Sequence, residues 1–132
     1  ATDNDYREVF GMVVIPVLRQ FEPDILLVSA GFDAHERDPL GGMRLTTGAF
    51  GAMTQDLCAV ADECCGGRVV AVTEGGYDLR ALEESLTVVV DVLAGAPGRP
   101  AQWPSTSVRS SRGAEGVRRS RAALSGFWKV TG

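Results

Sequence analysis

The sequence is short of what several common functions require. No apolar run reaches the roughly 18 residues of a membrane-spanning helix. The N-terminus, ATDNDYREVF, is polar from its first residues and does not read as a signal peptide. It also lacks an initiator Met, so a truncated chain is expected. Cysteine occurs at Cys58, Cys64 and Cys65 only. An odd number with an adjacent pair forms no disulfide framework and lacks zinc-site spacing, which leaves thiols of a reducing, cytoplasmic protein. Histidine occurs once, at His35. No Gly-rich phosphate-binding fingerprint follows either predicted strand, which weighs against a nucleotide-binding or receiver-like domain.

What is present fits one domain with a tail. The 132 residues are 45% hydrophobic, enough for a core. The net charge of -4 hides an asymmetry. Residues 1–95 carry six Arg against sixteen Asp or Glu; residues 96–132 carry six Arg and one Lys against one Glu. Such a tail reads as a solvated linker, or as a segment folded onto its own acidic body, in preference to a nucleic-acid-binding arm.

Hydrophobic spacing sets the elements. Tyr6, Val9, Phe10, Val13, Val14, Val17, Leu18 and Phe21 recur at helical intervals, with Asp3 or Asp5 as cap. Pro16 should kink this helix, and Pro23 closes it. "DILLVSA" is a short continuous apolar run, as in a strand buried on both faces. Thr46 or Thr47 can cap a second helix carrying Phe50, Met53, Leu57, Val60 and Cys64, which Gly66 ends in the left-handed conformation. "RVVAVTE" is a second buried strand. Asp78 caps a third helix bearing Leu79, Leu82, Leu86, Val89 and Leu93. From Ala96 to about Gly116 the composition predicts a linker. "ALSGFWKV" predicts a docking segment anchored by Phe127 and Trp128. Helices alternating with buried strands make an α/β chain with parallel strands. Two strands leave both sheet edges open, so a larger sheet is expected.

Both loops that could carry chemistry follow strands, and they therefore share one sheet edge, where open α/β sheets bind ligands. Asp33 offers a hard oxygen ligand on one loop. Tyr77 offers an O–H donor for an oxyanion on the other. Gly75 and Gly76 allow the backbone to approach a ligand closely.

"SAGFDAHERDPLGGMRLTTGAF", followed further along by "VTEGGYDL", resembles the C-terminal part of the histone deacetylase superfamily, which includes bacterial histone-deacetylase-like and acetylpolyamine amidohydrolases. The opening "DNDYREVFGMVVIPVLRQFEPDILLV" fits the same family's preceding helix and strand. "EGGY" is similar to the class II-like branch. The resemblance implies an arginase-like α/β fold with a central parallel sheet flanked by helices. Residues 1–95 would be the C-terminal part of the catalytic domain, and residues 96–132 the basic linker and docking segment. It implies a Zn²⁺-dependent hydrolase acting on acetyl-lysine or acetylpolyamine amides. Asp33 would be a metal ligand, and Tyr77 would polarise the amide carbonyl. Gly75, Gly76 and Leu40 would line the substrate site. His35 and Asp38 would stand behind the site or at its rim, and Asp38 with Pro39 would shape the loop.

The chain departs from the family in what it does not contain. A catalytic zinc takes about three protein ligands, and one matches here. The paired histidines that act as base and acid are missing, so the zinc site is incomplete and the chain is expected to be inactive without the N-terminal part of its domain. A homo-oligomer is compatible with the open sheet edges. The rival reading is a non-catalytic acyl-lysine-binding or structural α/β module, against which the Tyr77 phenol weighs.

Overall fold

A computed structural model describes residues 1–96, 101–105 and 111–129. Its elements are α1 (Asp3–Val9), a π-helical segment (Phe10–Val14), α2 (Ile15–Phe21), β1 (Leu26–Ala30), α3 (Thr47–Cys65), β2 (Val69–Thr73), α4 (Leu79–Leu93) and α5 (Arg112–Leu124). β1 and β2 pair in parallel from Leu26↔Val69 to Ala30↔Thr73, joined by α3 as the crossover.

Several local signals act as their chemistry dictates. Asp78 caps α4 by accepting the Ala81 N–H at 2.7 Å. Gly66 ends α3 at φ 60°. At the start of α1, Thr2 is the cap, and Asp5 accepts its N–H at 2.8 Å, so neither Asp3 nor Asp5 takes the capping position. Pro16 does not bend the first helix by simple loss of a bond. The turn before it widens to π geometry, with the Ile15 N–H bonded to the Phe10 carbonyl, and Pro16 then falls in the first turn of α2, the part of a helix that best tolerates proline.

The core lies on one side of the sheet. Ile15, Leu26, Val60, Ala61 and Cys65 form its lower part; Phe32, Leu45, Ala49, Phe50 and Val89 form the part beneath the strand ends. α3 and α4 pack tightly. A Cβ on Gly51 would fall 2.4 Å from Val88 Cγ1, and Ala81, Ser85 and Val89 make the buried stripe of α4. A cavity of about 370 Å³ remains between the inner sheet face (Val28, Ala30, Ala71) and Met53, Leu57 and Leu93.

Further expectations need correction. The strands are not buried on both faces: Leu27 is 75% exposed and Val72 60% exposed, with Val70 also open. Nothing among the described residues packs on that outer face, and each strand pairs only with the other. The segment expected to be a linker is structured in part. Residues 101–105 cross α3, and α5 begins at Arg112, with Gly113 and Val117 buried. Of the two docking anchors, Trp128 packs on Phe21 with ring centroids 6.3 Å apart, whereas Phe127 is 84% exposed. Residues 97–100, 106–110 and 130–132, which complete the tail, lie outside the described residues.

The open apolar face predicts self-association of the chain by itself. Leu27→Thr with Val72→Thr should shift it toward monomer in multi-angle light scattering while changing the melting temperature little, since neither side chain is buried. An unchanged oligomer would locate the association elsewhere.

Candidate functional site

The loops after β1 and β2 are bonded to each other at the strand ends. The Phe32 N–H donates to the Gly75 carbonyl at 2.7 Å, and the Glu74 N–H donates to the Ala30 carbonyl at 3.1 Å. This seam brings Asp33 against Gly75. A Cβ on Gly75 would lie 2.5 Å from Asp33 Oδ2, and one on Gly31 would lie 3.3 Å from Asp33 Oδ1. On the backbone side, a Cβ on Gly41 would meet the Asp33 carbonyl oxygen at 1.6 Å. Three glycines thus form a cradle that no other residue type could line without moving Asp33. Gly76, at φ 144°, adopts a backbone conformation that side chains rarely allow, and Phe32 and Leu82 close on its Cα.

Asp38 joins the two loops. Its Oδ1 accepts from Leu40 N at 2.8 Å and Gly41 N at 3.0 Å, and its Oδ2 accepts from Tyr77 N at 2.8 Å. Burial pushes this carboxyl up, but the N–H groups of Tyr77, Leu40, Gly41 and Asp78 together hold it below the usual aspartate range. One side chain therefore fixes the backbones of Gly41 under Asp33, of Leu40 and of Tyr77. The Leu40 and Tyr77 side chains are both exposed, at 71% and 57%. Arg37 adds a tie to α4, at 2.8 Å from Glu84 and 3.8 Å from Asp78. Hydrogen bonds from Arg37 and then Arg80 hold the Glu84 carboxyl below its ordinary range.

His35 is not at the rim. It is 3% exposed, its ring stacked on Phe50. Nδ1 accepts the Arg37 N–H at 3.1 Å, which leaves Nε2 to donate to Thr47 Oγ1 at 3.3 Å. With both nitrogens engaged, His35 is a packing element of the loop.

Sequence reasoning missed two contributors. Tyr6 served only as part of an apolar stripe, yet its hydroxyl reaches Met43 Sδ at 3.5 Å and its ring lines the cavity beside Asp33. Burial first, and the Asp33 charge second, push the Tyr6 phenol above its ordinary value. Asp3 is buried and bonds the start of α3 through Thr46 N and Thr46 Oγ1, each at 2.9 Å. The signal for both was a polar group on an otherwise buried helix face.

As a metal centre the site has one suitable donor. Asp33 supplies a carboxylate oxygen of the kind zinc accepts. Among the described residues no three His, Cys, Asp or Glu side chains converge to hold an ion. Among the described residues, too, no helix is long and apolar enough to cross a membrane.

Residues 1–93 match the histone deacetylase domain. The chain is 43% identical over 101 residues to the chloroplastic histone deacetylase 10 of Oryza sativa subsp. japonica, covering 76% of this chain and 23% of that protein. It is 40% identical over 125 residues to the polyamine deacetylase HDAC10 of Homo sapiens, covering 95% of this chain and 18% of that one. It thus spans about a fifth of the length of these relatives. Among solved structures, the HDA15 HD domain superposes with TM-score 0.81 at 37% identity over 96% of this chain and 33% of its own. The histone deacetylase Clr3 gives TM-score 0.82 at 33% identity over 99% and 21%. Both neighbours are histone deacetylase domains, which have the arginase-like α/β fold.

Two predictions follow from the geometry. Gly75→Ala should displace the Asp33 carboxylate and lower stability by about 1–3 kcal/mol, the usual range for an overpacked site; urea titration measures this, and a neutral result would show the cradle to be loose. For Asp38, the lowered folded pKa means that its contribution is complete above the ordinary aspartate pKa of about 3.9 and fades as pH falls through the folded value. The gap in melting temperature between the native chain and Asp38→Asn should therefore hold from pH 7 to about pH 4 and close below that. A gap independent of pH would mean that the charge contributes nothing.

Proposed function

The chain belongs to the histone deacetylase family, and from that premise we propose that it forms the C-terminal part of the catalytic domain of a zinc-dependent amidohydrolase. The substrates that fit the relatives' names are acetylated lysine side chains and acetylated polyamines. The observation that carries this reading is the cradled Asp33 carboxylate, with Tyr77 held on the adjoining loop by Asp38.

On this reading each residue has a distinct task. Asp33 is one ligand of the zinc, and the remaining ligands and the histidine base come from sequence upstream, in keeping with the share of its relatives that the chain spans. Zinc bound there would supply Lewis acidity toward the acyl carbonyl. The Tyr77 phenol, exposed and fixed only through its backbone, donates a hydrogen bond to the oxygen that gains charge as the amide carbon becomes tetrahedral. Gly75 and Gly76 keep the wall beside it free of side chains, and Leu40 gives the substrate's methylene chain an apolar surface. Asp38 keeps Tyr77 and Leu40 at a fixed separation. The alternative reading is a non-catalytic acyl-lysine-binding or structural module. The two readings diverge in the role of the phenol, which a binding module does not need. A cytoplasmic location belongs to the same proposal and rests on the free cysteines.

In the intact enzyme, Tyr77→Phe should lower turnover on an acetyl-lysine peptide by on the order of 100- to 1000-fold, with zinc content unchanged and KM little altered. Asp33→Ala should lose zinc and activity together. Near-normal turnover of Tyr77→Phe with zinc bound would remove the phenol from the mechanism and favour the binding-module reading.

A further inference from the structure

The described parts of the basic tail, which the proposed reaction does not use, are bonded to the first helix near both of its ends. Residues 101–105 cross α3 over two glycines. A Cβ on Gly48 would meet Pro104 Cγ at 3.1 Å, and one on Gly51 would meet Ala101 Cβ at 3.3 Å. Trp103 sets its indole edge-on to Phe10 of the π-helical segment, 5.9 Å between ring centroids, and donates to Asp56 Oδ2 of α3 at 2.9 Å. α5 then runs parallel to α1 and α2. The Gly113 N–H donates to Asp5 Oδ1 at 2.8 Å, Gly116 faces Val9, and the Lys129 N–H and carbonyl both bond the Gln20 side chain at 2.8 Å.

The helix so clamped is the one that holds the site loop. Asp3 bonds Thr46, the Arg44 N–H donates to the Ala1 carbonyl at 2.9 Å, and the Tyr6 hydroxyl meets Met43. Residues 43–46 continue directly from Gly41, which lies against the Asp33 carbonyl. A continuous set of contacts therefore leads from the strap, through α1, to the loop that seats Asp33.

We infer that residues 101–105 and 111–129 form a strap that positions the Asp33 loop through α1. Gly116 is a positioning residue on this view, since it faces Val9 of α1 and not the site. The catalytic consequence rests on Asp33 acting as proposed above; the mechanical coupling does not.

The test is a wedge between α5 and α1. A Cβ at Gly116 would lie 3.3 Å from Val9 Cγ2. Gly116→Leu should lift α5 from α1 while raising the helix's own propensity, and Gly116→Ala is the mild control. In the full-length protein, hydrogen exchange at the Arg44 and Thr46 amides should quicken about tenfold in Gly116→Leu relative to Gly116→Ala, with β2 and α4 unchanged, as a local opening requires. In the same samples kcat should fall severalfold with KM nearly constant. Faster exchange confined to α5 and α1, or spread evenly over all elements, would overturn the strap's positioning role. Quickened loop amides with unaltered turnover would uphold the coupling and count against Asp33 as a metal ligand.

Discussion

The arrangement of the site depends on one carboxylate. Asp38 accepts backbone N–H groups from its own loop and from the loop after β2, so two segments distant in sequence share one acceptor. Hydrogen bonds to an ionised acceptor are stronger than neutral ones, and burial makes leaving any of them unmade costly. The glycines complete the constraint from the steric side. Asp38 pulls the loops together; Gly31, Gly41 and Gly75 let them come close enough for Asp33 to sit between them. Neither device works without the other. A bulkier residue in the cradle would push against the Asp38 bonds, and a neutral residue at position 38 would hold the same N–H groups less strongly.

Much of this was legible because each signal was local. Asp78 before an apolar helical stripe, Gly66 after one, and two apolar runs followed by Gly-rich loops each state their structure within a few residues. The clustering of Asp33, Tyr77, Gly75 and Gly76 followed from parallel strands sharing an edge. What escaped was set by tertiary contact. Ile15 is buried, yet the helical stripe omitted it. It lies nine residues after Tyr6, and at about 3.6 residues per turn that is half a turn out of phase. The π-helical segment between them absorbs one residue and brings both toward the interior. No periodicity rule announces such a shift.

Burial of polar side chains was equally hidden. His35 and Asp38 sit three positions apart in a polar loop, and composition gives no reason to bury either. Both are buried because backbone N–H groups needing acceptors close around them. The tail erred in the opposite direction. Pro, Ser and Arg read as a linker up to about Gly116, but Trp103 and Gly113 bind within it, spaced too widely for any composition window to notice, whereas Trp128 docks on Phe21 as its aromatic segment announced.

The two-stranded sheet carries a consequence for the order of folding. β1 and β2 lie side by side with both outer edges unpaired among the described residues. In a domain completed by upstream sequence, new strands would pair with one or both of these edges. Those pairings join residues far apart along the chain, and closing such long loops precedes any reward from the pairing itself. The strands that such partners need would then be synthesised last. A ribosome would hold the earlier strands incomplete until this segment emerged, and a chaperone would have its longest opportunity in that interval.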